Sequence, residues 1–385
     1  MLSEKLVADT VTWLMTGTRG QVFIDEIFYD LCNRLVVNGL PLARASLHFR
    51  THHPQWLGSR MIWLADSPKV EVETVGYQVE ETEAFLRSPF HSIITGASGI
   101  RKRLNTAASP DEFSLYDQLR GEGYTDYLAW PLDHTLGKRH LVTFASKAPR
   151  GFSDQDVTLL ESMLPALSLV SEIRLKNQLA RTLLNTYVGP HACQQILDGA
   201  TTRGKGVTVH AAILVCDLRN FTAISSSHTR DEVIEYLNSY FDAMAGPIER
   251  HGGEILKFMG DGLLAVFPLS NPDACADLLN ALREAEKAID ELPDVGTLGR
   301  PGYGMGVHVG DVMYGNIGSL TRLDFTVIGP AVNIASRLES LTKIVNRRVL
   351  LSKDFVDLAE CQELVEDMGS FQVRGLEEPI AVYAM

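Results

Sequence analysis

Cysteine is scarce in this sequence, and none of it is arranged as a motif. Five cysteines fall at positions 32, 193, 216, 275 and 361, an odd number, and no two form Cys-x-x-Cys. That pattern argues against a disulfide scaffold and for a reducing, cytoplasmic setting. No run approaches the ~18 consecutive apolar residues of a membrane-spanning helix, so no span is expected. The opening Met-Leu-Ser-Glu-Lys has no cationic run leading into an apolar core, so no signal peptide is expected. Positive charge is in deficit: 35 Lys and Arg face 48 Asp and Glu, a net charge of −13. That sign argues against nucleic acid as a general partner. Internal repeats and low-complexity tracts are missing too.

What is present is ordinary globular material. The chain has 385 residues, 45% hydrophobic and 22% charged, enough for two or three cores. Residues 1–153 read as a first domain. Val22, Ile24, Ile27, Phe28, Leu31 and Leu35 follow helical spacing. Alternating runs at 43–49, 61–65, 127–131 and 140–146 read as strands, the last two parted by a turn at 133–138. Ser153 can cap a long helix over 154–188. In it Leu159, Met163, Ala166, Val170, Ile173, Asn177, Ala180 and Leu184 follow a 4-3 heptad seam. Asn177 falls at an a position, and Pro165 predicts a kink. Packing of its first half on the preceding domain is the competing reading of that helix. Residues 189–205 read as a linker rich in turn signals, and 206–385 as a second domain. His48, His52 and His53 are expected to pair with backbone or solvent rather than hold a metal or haem. Arg101-Lys102-Arg103 reads as a solvated patch.

The chemistry concentrates in the second domain. Thr229-Arg-Asp-Glu232 is a capping box that opens a helix stopped by His251-Gly252-Gly253. Asp217 ends a strand-like run over 209–217, and Asp261 sits in the Gly-Asp turn of a hairpin over 255–267. A carboxylate at the end of a buried strand is costly unless something positive meets it. Alone, Asp217 would be a cap and Asp261 a turn former. On neighbouring strands the pair suits divalent cations with water and phosphate oxygens. The run after Asp217, Leu-Arg-Asn-Phe221-Thr, can turn into a short helix whose amides suit phosphate. Asn333 and Arg337 are four apart on one helix face, where an amide and a guanidinium can hold a ribose oxygen and a phosphate.

Five blocks in order resemble the class III adenylate/guanylate cyclase catalytic domain over about 207–385. They are the Phe-Thr block after Asp217, Lys257-Phe-Met-Gly-Asp261-Gly, residues 306–318, residues 324–337 and Val373-Arg-Gly-Leu. The resemblance implies an α+β fold with a central, mostly antiparallel sheet flanked by helices. It implies that Asp217 and Asp261 bind two Mg²⁺ or Mn²⁺ ions and that Lys257 and Thr326 face the purine. It further implies substrate contacts at Phe221 and Arg374, catalytic roles for Asn333 and Arg337, and a homodimer whose sites are shared between protomers. Pro330-Ala331 departs from the family, which more often has Asp or Asn followed by Thr there. The first domain, with helix, strands and then a closing helix after Gly-Phe-Ser-x-x-Asp, resembles a GAF sensory module. A PAS-type module is the runner-up. Its effector, a small molecule or protein, is not legible.

The nucleobase follows from hydrogen-bond polarity. Lys257 only donates and the Thr326 hydroxyl can accept, which matches adenine N1 and its 6-amino group. Guanine reverses both, and guanylate cyclases of the family usually carry Glu and Cys at these places. The expected activity is therefore an adenylate cyclase making 3′,5′-cyclic AMP and pyrophosphate from ATP. A guanylate cyclase and a catalytically silent nucleotide-binding or dimerisation module remain the alternatives.

Overall fold

The computed structural model describes residues 2–51, 53–106, 109, 112–294, 298–372 and 378–385. His52 and the Val373-Arg374-Gly-Leu block lie outside the described residues. The chain divides into two compact units, Met1–Leu183 and Leu184–Met385. No helix among the described residues is long and apolar enough to cross a membrane.

The first unit is α+β. Its helices are α1 (Leu2–Thr12), α2 (Ile24–Val37), α3 (Glu83–Leu86), α4 (Pro89–Ile94), α5 (Ser114–Gly121) and most of α6 (Asp154–Val188). Strands β1 (Arg44–Arg50), β2 (Gly58–Leu64), β3 (Glu71–Val75), β4 (Ile100–Arg103), β5 (Asp126–Asp133) and β6 (Arg139–Ser146) form one antiparallel sheet, ordered β3-β2-β1-β6-β5-β4. Of the stripe read from the sequence, Ile24, Ile27, Phe28, Leu31 and Leu35 are buried with Leu47, Phe49, Val142 and Phe144 of the sheet, while Val22 precedes α2 and is exposed.

Two sequence readings change here. Leu159, Met163, Ala166 and Val170 of α6 join that same core, so half of the heptad seam is used inside its own unit. Ile173, Asn177 and Ala180 stay exposed. Arg101 and Arg103 are not a solvated patch. Both bond the fully buried Asp126, at 3.2 and 2.9 Å, and both donate to the Phe152 carbonyl. Phe152 N donates back to Asp126 at 3.0 Å. These contacts pin the turn from which α6 starts.

The second unit carries α7 (Pro190–Leu197), α8 (Phe221–Ser227), α9 (Arg230–Arg250), α10 (Ala274–Asp290), α11 (Pro330–Val345) and α12 (Lys353–Leu358). Its strands are β7 (Gly206–Leu218), β8 (Glu254–Met259), β9 (Gly262–Pro268), β10 (Tyr303–Gly318), β11 (Leu323–Ile328), β12 (Val349–Ser352), β13 (Glu366–Phe371) and β14 (Ile380–Ala384). The sheet order is β13-β14-β12-β10-β7-β9-β8, with β11 added on β10. Only β10 and β12 run parallel among these pairs. The stretch read as a linker contains α7, which buries Ala192 and Cys193. The capping box at Thr229 forms, and α9 buries Tyr236, Tyr240, Met244 and Ile248 on the main core. Ile234 of α9 is exposed.

Helix α11 lies directly on β10. A Cβ at Gly306 would come within 2.1 Å of the Ala335 carbonyl oxygen, and one at Gly310 within 2.8 Å of Ala331 Cβ. Small residues on both sides let helix and strand backbones touch. Pro330, the departure noted above, sits in the first turn of α11, where its missing N–H costs nothing. Arg219 fixes the other end by donating to the carbonyls of Thr342 and Arg347.

In the first unit, His140 and His134 are buried with ring centroids 4.3 Å apart. His140 Nδ1 accepts from Arg50 N at 3.1 Å, which requires an unprotonated nitrogen. Burial, then His134 and Lys138, hold the His140 pKa down to about 3. Burial likewise lowers His134, against the pull of Glu172. Unfolded histidine takes up a proton near pH 6.5 while the folded residues do not, so stability falls as pH falls below that value. Glu112 and Glu172, held at about 2, add their own loss only below about pH 4.5. The first unit should therefore lose up to ~1.4 kcal/mol per pH unit through His140 between pH 6.5 and 4.5, with His134 acting in the same direction. Urea titrations at several pH values check this, and His140→Asn should flatten the slope.

Candidate active site

The site begins with strand register. β7 and β9 are antiparallel, and Asp217 is paired with Gly262. Met259 and Gly262 close the hairpin from β8 to β9, leaving Gly260 and Asp261 as its two-residue turn. Gly260 has φ +68°, a conformation that such turns need. A Cβ on Gly262 would meet the Cys216 carbonyl oxygen at 2.7 Å and Asp217 Oδ1 at 3.1 Å. The glycine is what lets the hairpin close against Asp217. Both carboxylates thus share one edge, as read from the sequence. Burial and the neighbouring Asp217 raise the Asp261 carboxyl above its ordinary value.

That edge is already answered by a cation the sequence reading missed. Lys343 Nζ donates to Asp217 Oδ2 at 3.2 Å and lies 3.6 Å from Glu339 Oε1. Burial opposes the charge on Lys343, yet Glu339 and Asp217 hold its pKa above the ordinary value. Glu339 is buried, which raises its own pKa despite Lys343. The signal was available, because Glu339 and Lys343 stand four apart on a helix. The donor set suits a hard divalent ion: Asp217 and Asp261 supply oxygens, and an ammonium stands where positive charge is wanted. Among the described residues no group of three or more His, Cys, Asp or Glu makes a complete cage. Water and substrate phosphates would complete the shell, as is usual for Mg²⁺.

The polar groups expected at the purine lie on β8 and β11, two strands that approach one another. Lys257 is half-buried on β8, and its ammonium has no hydrogen bond or ion pair among the described residues. Thr326 is buried on β11, and its Oγ1 has no hydrogen-bond partner among the described residues. A buried hydroxyl without a partner is costly, so a ligand donor there would be favoured. Phe221 opens α8 and packs against the edge of the main core.

Asn333 and Arg337 lie on α11, exposed and half-buried, and neither side chain is bonded among the described residues. The helix rise carries Arg337 about 9 Å and Asn333 about 15 Å along the axis from Lys343, the residue that reaches Asp217. Within one chain the structure joins Asp217, Asp261, Glu339 and Lys343. It forms no bond from that group to Asn333 or Arg337.

Lys343 competes with any ion on Asp217. Lys343→Met should tighten Mn²⁺ binding about two- to fivefold, the worth of one partly exposed ion pair. Electron paramagnetic resonance titration of free Mn²⁺, without nucleotide, measures it. Unchanged or weaker binding would contradict the competition.

Residues 207–385 match the family model of the adenylate and guanylate cyclase catalytic domain. An adenylate cyclase of Anabaena cylindrica is 35% identical over 208 residues, which cover 51% of this chain and 39% of the relative. The terminal-differentiation-specific adenylate cyclase of Dictyostelium discoideum is 28% identical over 206 residues, covering 52% of this chain and 9% of the relative. The solved structure of a bacterial light-regulated adenylyl cyclase is 26% identical and aligns with a TM-score of 0.47, over 58% of this chain and 64% of that chain. The matched part spans well under half the length of these curated relatives. Residues 207–385 thus resemble the class III adenylate/guanylate cyclase catalytic domain.

Proposed function

We propose that this protein is a homodimeric adenylate cyclase that converts ATP to 3′,5′-cyclic AMP and pyrophosphate. The observation that carries the reading is the register that sets Asp217 against the hairpin bearing Asp261. The unpartnered Thr326 hydroxyl on β11, beside the strand of Lys257, adds to it. Two Mg²⁺ or Mn²⁺ ions held by Asp217 and Asp261 would lower the pKa of the ribose 3′-hydroxyl and neutralise phosphate charge. The 3′-oxygen bonds to the α-phosphorus, its proton passes to solvent, and the bond from the α-phosphorus to the bridging oxygen breaks to release pyrophosphate.

Lys257 donates to adenine N1, and Thr326 accepts from the 6-amino group. Asn333 orients the ribose, and Arg337 meets the charge on the α-phosphate. Both come from the partner protomer, a reading supported by their distance along α11 from the Asp217 contact. Phe221 belongs to the substrate pocket, and Arg374 is assigned to the terminal phosphates. The first unit serves as a GAF-like regulatory domain that biases dimer geometry through α6.

Incubation of purified protein with ATP or GTP, each with Mg²⁺ or Mn²⁺, should yield cyclic AMP from ATP. No cyclic nucleotide under any of the four conditions, with and without the first unit, would sink the enzyme reading. Asp217→Ala and Arg337→Ala should each lose at least ~100-fold in rate. Mixed in equal amounts and allowed to exchange, they should regain about a quarter of the wild-type sites, since half the dimers carry one intact site of two. No recovery, despite proven exchange, would count against shared sites.

A further inference from the structure

The first unit encloses a cavity of about 430 Å³, a small-molecule size. It lies on the sheet face opposite the core packed by α2 and α6. Side chains alternate along β1, so Ala45, Leu47 and Phe49 enter that core while Arg44, Ser46 and His48 line the cavity. Register sets Ser46 beside Thr143 of β6, and His48 beside Arg60 of β2. Helices α4 and α5 contribute Phe90 and Leu115 to the opposite wall.

Several polar groups of this face bond one another or a neighbouring carboxylate. Ser46 Oγ bonds Thr143 Oγ1 at 2.6 Å and His48 Nε2 at 2.8 Å. Arg60 donates to Glu73 at 3.0 Å. The half-buried Arg44 guanidinium has no hydrogen bond or ion pair among the described residues. No Asp or Glu lines the cavity. Burial, then Arg60 and Arg44, hold His48 down to about 3, so its ring is neutral and Arg44 is the one uncompensated charge among the lining residues. A planar fork of donors facing an apolar-walled space without an acceptor is the complement of an oxyanion.

We infer that this cavity is a binding site for a small organic anion, a carboxylate or phosphate group carried on an apolar body. Arg44 takes the oxyanion, the Ser46–Thr143 hydroxyls lie within its reach, and Phe90, Leu115 and Leu141 cover the apolar part. The inference gives the regulatory reading of the first unit a ligand class, and it uses no residue of the cyclase site.

Isothermal titration of the full chain, without nucleotide or divalent ion, tests it with benzoate, phenyl phosphate and neutral benzyl alcohol. At least one anion should bind, with benzyl alcohol at least tenfold weaker. The stronger arm tells carboxylate from phosphate. Arg44→Met should weaken the anion about tenfold to a hundredfold, and Leu115→Trp, which fills the wall, should weaken it as well. If circular dichroism shows that Arg44→Met is unfolded, Leu115→Trp carries the test. No binding of either anion at millimolar concentration, equal binding of benzyl alcohol, or indifference to whichever variants fold overturns the inference. Such a failure leaves the cyclase reading standing, since neither nucleotide nor metal takes part.

Discussion

The second unit depends on one close contact, the seating of α11 on glycine backbone in β10. Interdigitating side chains ordinarily hold a helix off the backbone of the sheet beneath it. Here Gly306 meets the Ala335 carbonyl and Gly310 meets Ala331, so the helix lies lower than side chains would permit. Two consequences follow. The C-terminal half of α11 reaches the end of β7, where Lys343 finds Asp217. The N-terminal half, with Asn333 and Arg337, is carried along the sheet away from that point. One helix therefore presents a charged contact to its own aspartates and leaves its unbonded polar face for something else.

The electrostatics of the aspartate edge support the same division. Burial, and then repulsion from Asp217 on the adjacent strand, raise the Asp261 pKa. Lys343 relieves part of that repulsion. The ammonium is a single charge on a flexible stem, so a divalent ion with two bound oxygens would displace it readily. The buried Glu339 then remains as its partner four residues away.

How much was legible in the sequence follows from how local each signal is. Asp217 and Asp261 were readable because a strand-like run and a Gly-Asp turn place them within short segments, whereas Lys257 was picked out by the family resemblance alone. Glu339 and Lys343 were passed over because their importance comes from the depth at which α11 sits, set by glycines some thirty residues earlier. The Arg101–Arg103 run looked solvated because its partner Asp126 is on the next strand, over twenty residues on. Helix α7 was hidden by the Gly-Pro and Asp-Gly signals that bracket it, although Ala192 and Cys193 inside it are buried. The alternation of β1 was seen as a strand, but its polar face was not seen as a cavity wall. That needs the roof supplied by α4 and α5.

The long helix α6 shows how one pattern can serve two ends. A heptad seam states only that a stripe is apolar, not what covers it. Leu159 to Val170 are covered by the core of the first unit, so those positions are not open to a second chain without unpacking that core. From Ile173 to Ala180 the stripe is uncovered in the single chain. Any pairing of α6 between protomers is therefore confined to its C-terminal half. Asn177, exposed there, is free to set register in a paired helix at no cost to the folding of the first unit. Helix α6 itself is continuous from Asp154 to Val188, with Pro165 inside it, so the covered and uncovered halves of the stripe belong to one element.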